Sequence, residues 1–248
     1  MKLSRSGMGK PQAITLAVVL IALALMLLLI GNGSDGGPHS GPVLICIDST
    51  VSTDDVRGKY EQDIKEVVRR AALHQAHFYA AACGANATGE VDWPVSRRFE
   101  GTYSGKSLNE EQLEHKAEQV MFGTSKSEGI KDLLEVESHD GTPIGEMLAV
   151  TGRQCEQAGG DCAIYLFTDG EWADELLRVR DGISEGERKG YLDVYVDRLS
   201  GLSGSTVNFV GVGLGTQIGE VRLDEAHTIV TELVEKAGGT VGFWTTRL

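Results

Sequence analysis

Three short stretches of this 248-residue chain place hard oxygen donors where a protein could gather them. Asp48-Ser49-Thr50-Val51-Ser52 follows the apolar run Val43 to Ile47, and Thr168-Asp169-Gly170 follows Tyr165-Leu166-Phe167. Asp140-Gly141-Thr142-Pro143 stands just ahead of a helical pattern. Asp48 and Asp169 supply anionic oxygens, and Thr50, Ser52 and Thr142 supply neutral ones. Such a set suits Mg²⁺, Mn²⁺ or Ca²⁺, which take oxygen ligands, and not zinc. Two carboxylates roughly balance a divalent ion, while hydroxyls fill part of its shell without quenching it further. The ion then stays electrophilic enough to accept an Asp or Glu carboxylate from another molecule, which a cage of carboxylates would repel. Each stretch taken alone has a plainer reading: a helix cap and turn, an Asp-Gly turn, or a helix start.

The elements that must position these residues follow from periodicity. Val43 to Ile47 reads as a strand buried on both faces, as in a parallel sheet. Asp54 to His74 carries Val56, Tyr60, Ile64, Val67 and Ala71 on one helical face. His77 to Cys83 and Val95 to Glu100 read as strands, the second polar enough for an edge. Leu108 to Phe122 reads as a helix capped by Ser107 or Asn109, and Ile130 to Val136 as a shorter one. Pro143 to Gln157 fits a helix with proline tolerated in its first turn. Cys162 to Phe167 is a further strand, Gly186 to Leu199 a helix and Val207 to Val212 a strand. Leu223 to Ala237 is a helix ended by Gly238-Gly239, and Val241 to Trp244 is the last strand. Strands separated by helices imply crossovers, hence a doubly wound, mostly parallel α/β sheet with helices on both faces. Ligands of such sheets bind outside the carboxyl ends of the strands, where strand order reverses.

The order Asp48-x-Thr50-x-Ser52, then Thr142 in G-T-P-I-G-E-M-L, then Thr168-Asp169-Gly170 resembles the metal-ion-dependent adhesion site of von Willebrand factor type A domains. That family carries D-x-S-x-S after its first strand, a Thr in a later loop, and an Asp, often as T-D-G, after its fourth. The resemblance covers about Val43 to Trp244. It departs at Thr50, which replaces a serine but keeps the hydroxyl. It implies a Rossmann-like fold in which Thr50, Ser52 and Thr142 contact the metal, and Asp48 and Asp169 bind it directly or through water. The function it implies is protein binding or adhesion, with no catalytic residue.

Around this domain, Ala13 to Ile30 is apolar apart from Thr15 and uncharged. At about 1.5 Å per residue such a helix spans about 27 Å, near the thickness of a bilayer core. Lys2, Arg5 and Lys10 precede it, which predicts a cytoplasmic N-terminus (1–12), a membrane helix (13–30), a Gly-rich linker (31–41) and an extracytoplasmic domain (42–248). The competing reading, a cleaved signal peptide, lacks an A-x-A site. Setting those three cations against the total charge of −13 leaves −16 on the rest, which argues against a nucleic-acid partner. Cys46, within an apolar strand, reads as a small buried hydrophobe. Cys155 and Cys162 flank Ala158-Gly159-Gly160 and either bridge in an oxidising compartment or stay unpaired thiols.

Other motifs fall short. Gly101 to Ser107 has one residue too few for a P-loop, and Gly211-Val212-Gly213-Leu214-Gly215 has the wrong spacing for a dinucleotide loop. A phosphatase of the aspartyl-phosphate kind would want a second Asp where Thr50 stands. His39, His74, His77, His115, His139 and His227 are scattered; His139 lies near enough to Thr142 to tune it, or is a plain loop residue. Asn32-Gly33-Ser34 and Asn86-Ala87-Thr88 are glycosylation sequons. The alternatives to a membrane-tethered binding module are a Mg²⁺-dependent phosphate-processing enzyme and a structural component of a cell-envelope complex.

Overall fold

The computed structural model of the protein describes residues 41–84, 91–99, 109–123, 129–173, 176–216 and 218–248. The apolar segment 13–30, the N-terminus before it, the linker up to residue 40, both sequons and the Gly101 to Ser107 stretch lie outside the described residues. Among the described residues no helix is long and apolar enough to cross a membrane.

Six strands form one sheet: β1 (Val43–Asp48), β2 (His77–Cys83), β3 (Val95–Arg98), β4 (Ala163–Phe167), β5 (Thr206–Val210) and β6 (Thr240–Thr245). Their spatial order is β3-β2-β1-β4-β5-β6, and all pairs are parallel except β2 with the edge strand β3. The chain winds outward from β1 through β2 to β3, then crosses back to lay β4 on the other side of β1. Strand order therefore reverses between β1 and β4, and a crevice must open at their carboxyl ends.

Every residue of β1 is buried, as its unbroken apolar run required. Val43, Ile45 and Ile47 join one core, with α1 (Glu61–Leu73), α2 (Glu110–Phe122) and α3 (Ile130–Leu134). Leu44 and Cys46 point the other way, into a core shared with α4 (Ile144–Ala158), α5 (Glu185–Tyr195) and α6 (Glu220–Lys236). Each fully buried Leu, Ile or Phe removes apolar area from water worth roughly 1.5–3 kcal/mol.

The structure shifts several element limits. The helix expected from Asp54 begins only at Glu61, behind two 3-10 turns at Val51–Thr53 and Arg57–Tyr60. The cause is local: the Thr53 hydroxyl donates to the backbone oxygens of Asp48 and Thr50, both at 2.9 Å, and holds the chain in a turn that a helix would break. Helix α2 is capped by Asn109, whose side chain exchanges hydrogen bonds with Gln112. Helix α6 starts earlier than expected, at Glu220, and α5 passes into a 3-10 turn at Val196–Leu202.

The cysteines differ most. Cys46 is not an unpaired hydrophobe; it is bonded to Cys83, and Cys155 is bonded to Cys162. Pairing of Ile47 with Ala82 and of Asp48 with Cys83 puts the first two cysteines on neighbouring strands, with Cα atoms 5.7 Å apart. That is ordinary disulfide reach, and only strand adjacency could reveal it.

Candidate metal centre

Asp48 ends β1, Asp169 follows β4, and these two strands are neighbours, so the two carboxylates meet at the crevice. Both residues are fully buried. Asp48 Oδ1 accepts from the Thr50 N–H at 3.1 Å and from the Thr50 hydroxyl at 2.7 Å. Its Oδ2 accepts from the Thr168 hydroxyl at 2.8 Å. Thr50 Oγ1 also lies 3.2 Å from Ser52 Oγ and 2.9 Å from Thr142 Oγ1. A hydroxyl has one proton; Thr50 gives its own to Asp48, so Thr142 donates to it, while the Ser52 proton can serve Thr50 or Asp169. Four of the five residues singled out by sequence thus form one hydrogen-bonded cluster. Asp169 is the fifth: its Oδ1 accepts from the Glu171 N–H at 2.8 Å, and Oδ2 is buried without a hydrogen-bond partner.

Three loops bring this about, and each is tied to the next. The backbones of Ser49 to Val51 and of His139 pair, with Val51 N donating to His139 O at 3.0 Å and His139 N donating to Ser49 O at 3.1 Å. Buried Arg57 reinforces the pairing by donating to Val136 O at 2.7 Å, and also to Asp54 and Ser138. Ala173 N donates to Thr142 O at 3.2 Å, which ties the second loop to the third. Gly141, at φ +78°, permits this approach, since a Cβ there would lie 2.7 Å from Ala173 O. Gly213 N holds Asp169 O at 2.8 Å from the loop beyond β5.

The electrostatics are unbalanced. Burial, then the Asp169 carboxylate, pushes Asp48 up to about 7 against the pull of the Thr50 and Thr168 hydrogen bonds. Burial also raises Asp169, offset in part by the Glu171 N–H and the Ser52 hydroxyl. No basic group is among the causes acting on either. Burial, with Asp48 and Asp169 nearby, raises Tyr60 as well, whose buried hydroxyl has no hydrogen-bond partner.

These residues fit a hard divalent ion. Buried carboxylates are ordinarily paired with a cation or a metal, and among the described residues no cationic side chain acts on this pair. No group of three or more His, Cys, Asp or Glu suited to a metal occurs among the described residues.

Thr168 belongs to the centre although the sequence marked it only as part of T-D-G. Its hydroxyl donates to Asp48 and accepts from Trp172 Nε1 and Gly170 N, each at 3.2 Å. Its proton and both lone pairs are spent, so it orients Asp48 and has nothing left for a metal. Arg57 and Tyr60 carried no sequence signal beyond helical spacing. His139 acts through its backbone. His74 and His77 lie away from the centre, His74 at the end of α1 and His77 in β2, where Tyr79 and Ser96 engage its ring.

Neither a protein-family model nor a curated protein matches the chain. Among solved structures it is similar to the pilus adhesin SpaC from Lactobacillus rhamnosus GG in its open conformation, with 11% sequence identity and a TM-score of 0.44. The likeness covers 83% of this chain and 28% of the adhesin chain, and at that distance it carries nothing about function. The chain is an α/β protein with a mostly parallel six-stranded sheet flanked by helices.

Proposed function

We propose that this chain is a protein-binding module of the von Willebrand factor type A kind, tethered to a membrane by residues 13–30 with residues 42–248 outside. Asp48, Thr50, Ser52, Thr142 and Asp169 hold Mg²⁺, or Mn²⁺ or Ca²⁺ in its place. The observation that carries this reading is the pair of fully buried carboxylates, Asp48 and Asp169, converging with three hydroxyls and no basic group. A bound divalent ion supplies an electrophilic position for an Asp or Glu carboxylate of the partner protein. The chain's own part is to keep the donors aimed: Thr168 and the Thr50 N–H fix the Asp48 carboxylate, and the Thr50 hydroxyl gathers those of Ser52 and Thr142. Two disulfides support the outside placement, because such bonds persist in oxidising compartments.

Calorimetric titration of the purified chain with Mg²⁺ and Mn²⁺ tests the site. Wild type should bind one ion, and Asp48→Ala and Asp169→Ala should abolish binding while circular dichroism stays native. Equal heats in wild type and both variants would sink the proposal. Chelator should also release whatever protein the wild type captures from solubilised membranes.

A further inference from the structure

Thr142 precedes a helix that cannot cap itself. The N-cap position of α4 is Pro143, which has no side chain able to accept a hydrogen bond, yet this helix end is buried. The first N–H groups of a helix have no partners within it and must find others. Ile144 N turns back to Thr142 O at 3.0 Å. Gly145 N finds a partner on a different helix: it donates to the Tyr191 hydroxyl of α5 at 2.8 Å.

The rest of the first turn of α4 is gripped from the same side. Buried Glu146 accepts both terminal nitrogens of Arg198 at 2.6 Å each, and the Tyr195 hydroxyl at 3.2 Å. The Tyr195 ring lies so close to Gly145 that a Cβ there would meet it at 2.6 Å. Tyr191 and Tyr195 pack with ring centroids 4.7 Å apart. The residues just behind Thr142 are therefore held by α5 and the turn that follows it as well as by their own helix, in which Met147 N donates to Pro143 O at 3.0 Å.

We propose that Tyr191 is a positioning residue for the metal centre: by capping α4 at Gly145 it fixes where Thr142 presents its hydroxyl, and so sets the preference for Mg²⁺ over Ca²⁺. This rests on the metal-binding reading above. The selectivity follows from the ions. Mg²⁺ demands near-ideal octahedral geometry at about 2.1 Å, whereas Ca²⁺ accepts longer and looser shells at about 2.3–2.6 Å. A Thr142 loop freed to drift penalises the small ion more.

Tyr191→Phe removes one oxygen and keeps the ring. Calorimetry of the full chain with Mg²⁺ and with Ca²⁺ should show Mg²⁺ affinity falling about fivefold to tenfold, the scale of one buried hydrogen bond. Ca²⁺ affinity should fall less. Thermal unfolding in chelator reports the fold separately. Should Tyr191→Phe not fold, Arg198→Gln, at the more exposed end of the same grip, replaces it with the same expected direction. Unchanged affinities, or equal losses for both ions, would overturn the role of Tyr191 while leaving the metal site standing. A wild type that binds neither ion overturns both.

Discussion

Asp48 is fully buried next to a second buried carboxylate, and its own carboxylate accepts from Thr50 and Thr168. In metal-free protein this has a pH signature. Its folded pKa of about 7 lies above its ordinary value of 3.8, so the folded chain holds the proton more tightly than the unfolded one. The stability this contributes is complete below about 4 and is lost as the pH rises through about 7. Unfolding in chelator should show the midpoint falling across that window, and Asp48→Asn should flatten the trend; a parallel trend in the variant would place its origin elsewhere. Thr168→Val keeps the shape of the side chain but strips Asp48 of a donor and Trp172 Nε1 of its acceptor. Removing a hydrogen bond that aims a metal-binding carboxylate costs about tenfold or more in metal affinity. The same substitution should alter tryptophan emission, which reads out the lost indole hydrogen bond. Motif order, strand ends and donor chemistry name the five proposed site residues in the sequence, and the structure joins four of them, Asp48, Thr50, Ser52 and Thr142, in one hydrogen-bonded cluster. Thr168 was visible as a letter of a motif, but its role depends on which oxygen its proton reaches.

Strands and helices were legible in type, and their limits were not. The stretch from Asp54 to Tyr60 has helical spacing, yet Thr53 and the needs of the Asp48 loop impose 3-10 turns there. Asn109 was one of two candidate caps, and it forms the capping box with Gln112. The Cys46–Cys83 bond lay beyond sequence reasoning, since nothing local makes β2 rather than β4 the partner of Cys46. This bond closes a separation of 37 residues. Replacing both cysteines with alanine should lower unfolding free energy by about 2–4 kcal/mol, measured as a shift in the denaturant midpoint at constant slope. An unmoved midpoint would mean that the buried strands hold together without it. The bond joins β1 and β2 just below the centre, where Ser49 N donates to Cys83 O at 3.0 Å, so it also braces the loop carrying Thr50 and Ser52.

At the scale of the molecule, the proposed tether and the proposed site can be tested apart. Removing residues 1–30 should move the protein from the membrane pellet to the supernatant while Mg²⁺ affinity stays within a factor of two, about the spread expected for a site whose donors all lie within residues 48–169. Persistent membrane association would mean that another surface of the acidic domain does the anchoring. The alternation of apolar strands and amphipathic helices determined, from sequence alone, a mostly parallel sheet covered on both faces, because crossover helices leave no other place for the strands' two apolar sides. The types of Asp48, Thr50, Ser52, Thr142 and Asp169 offer only hard oxygen donors, which is the basis for proposing a divalent ion there. Tertiary structure alone decided that β4 lies against β1, that the carboxylates consequently share one buried crevice with no basic partner among the described residues, and that α5 caps the helix behind Thr142. These are contacts between residues tens to more than a hundred positions apart. Local periodicity carries no information about them, and only the packing of the whole sheet selects them.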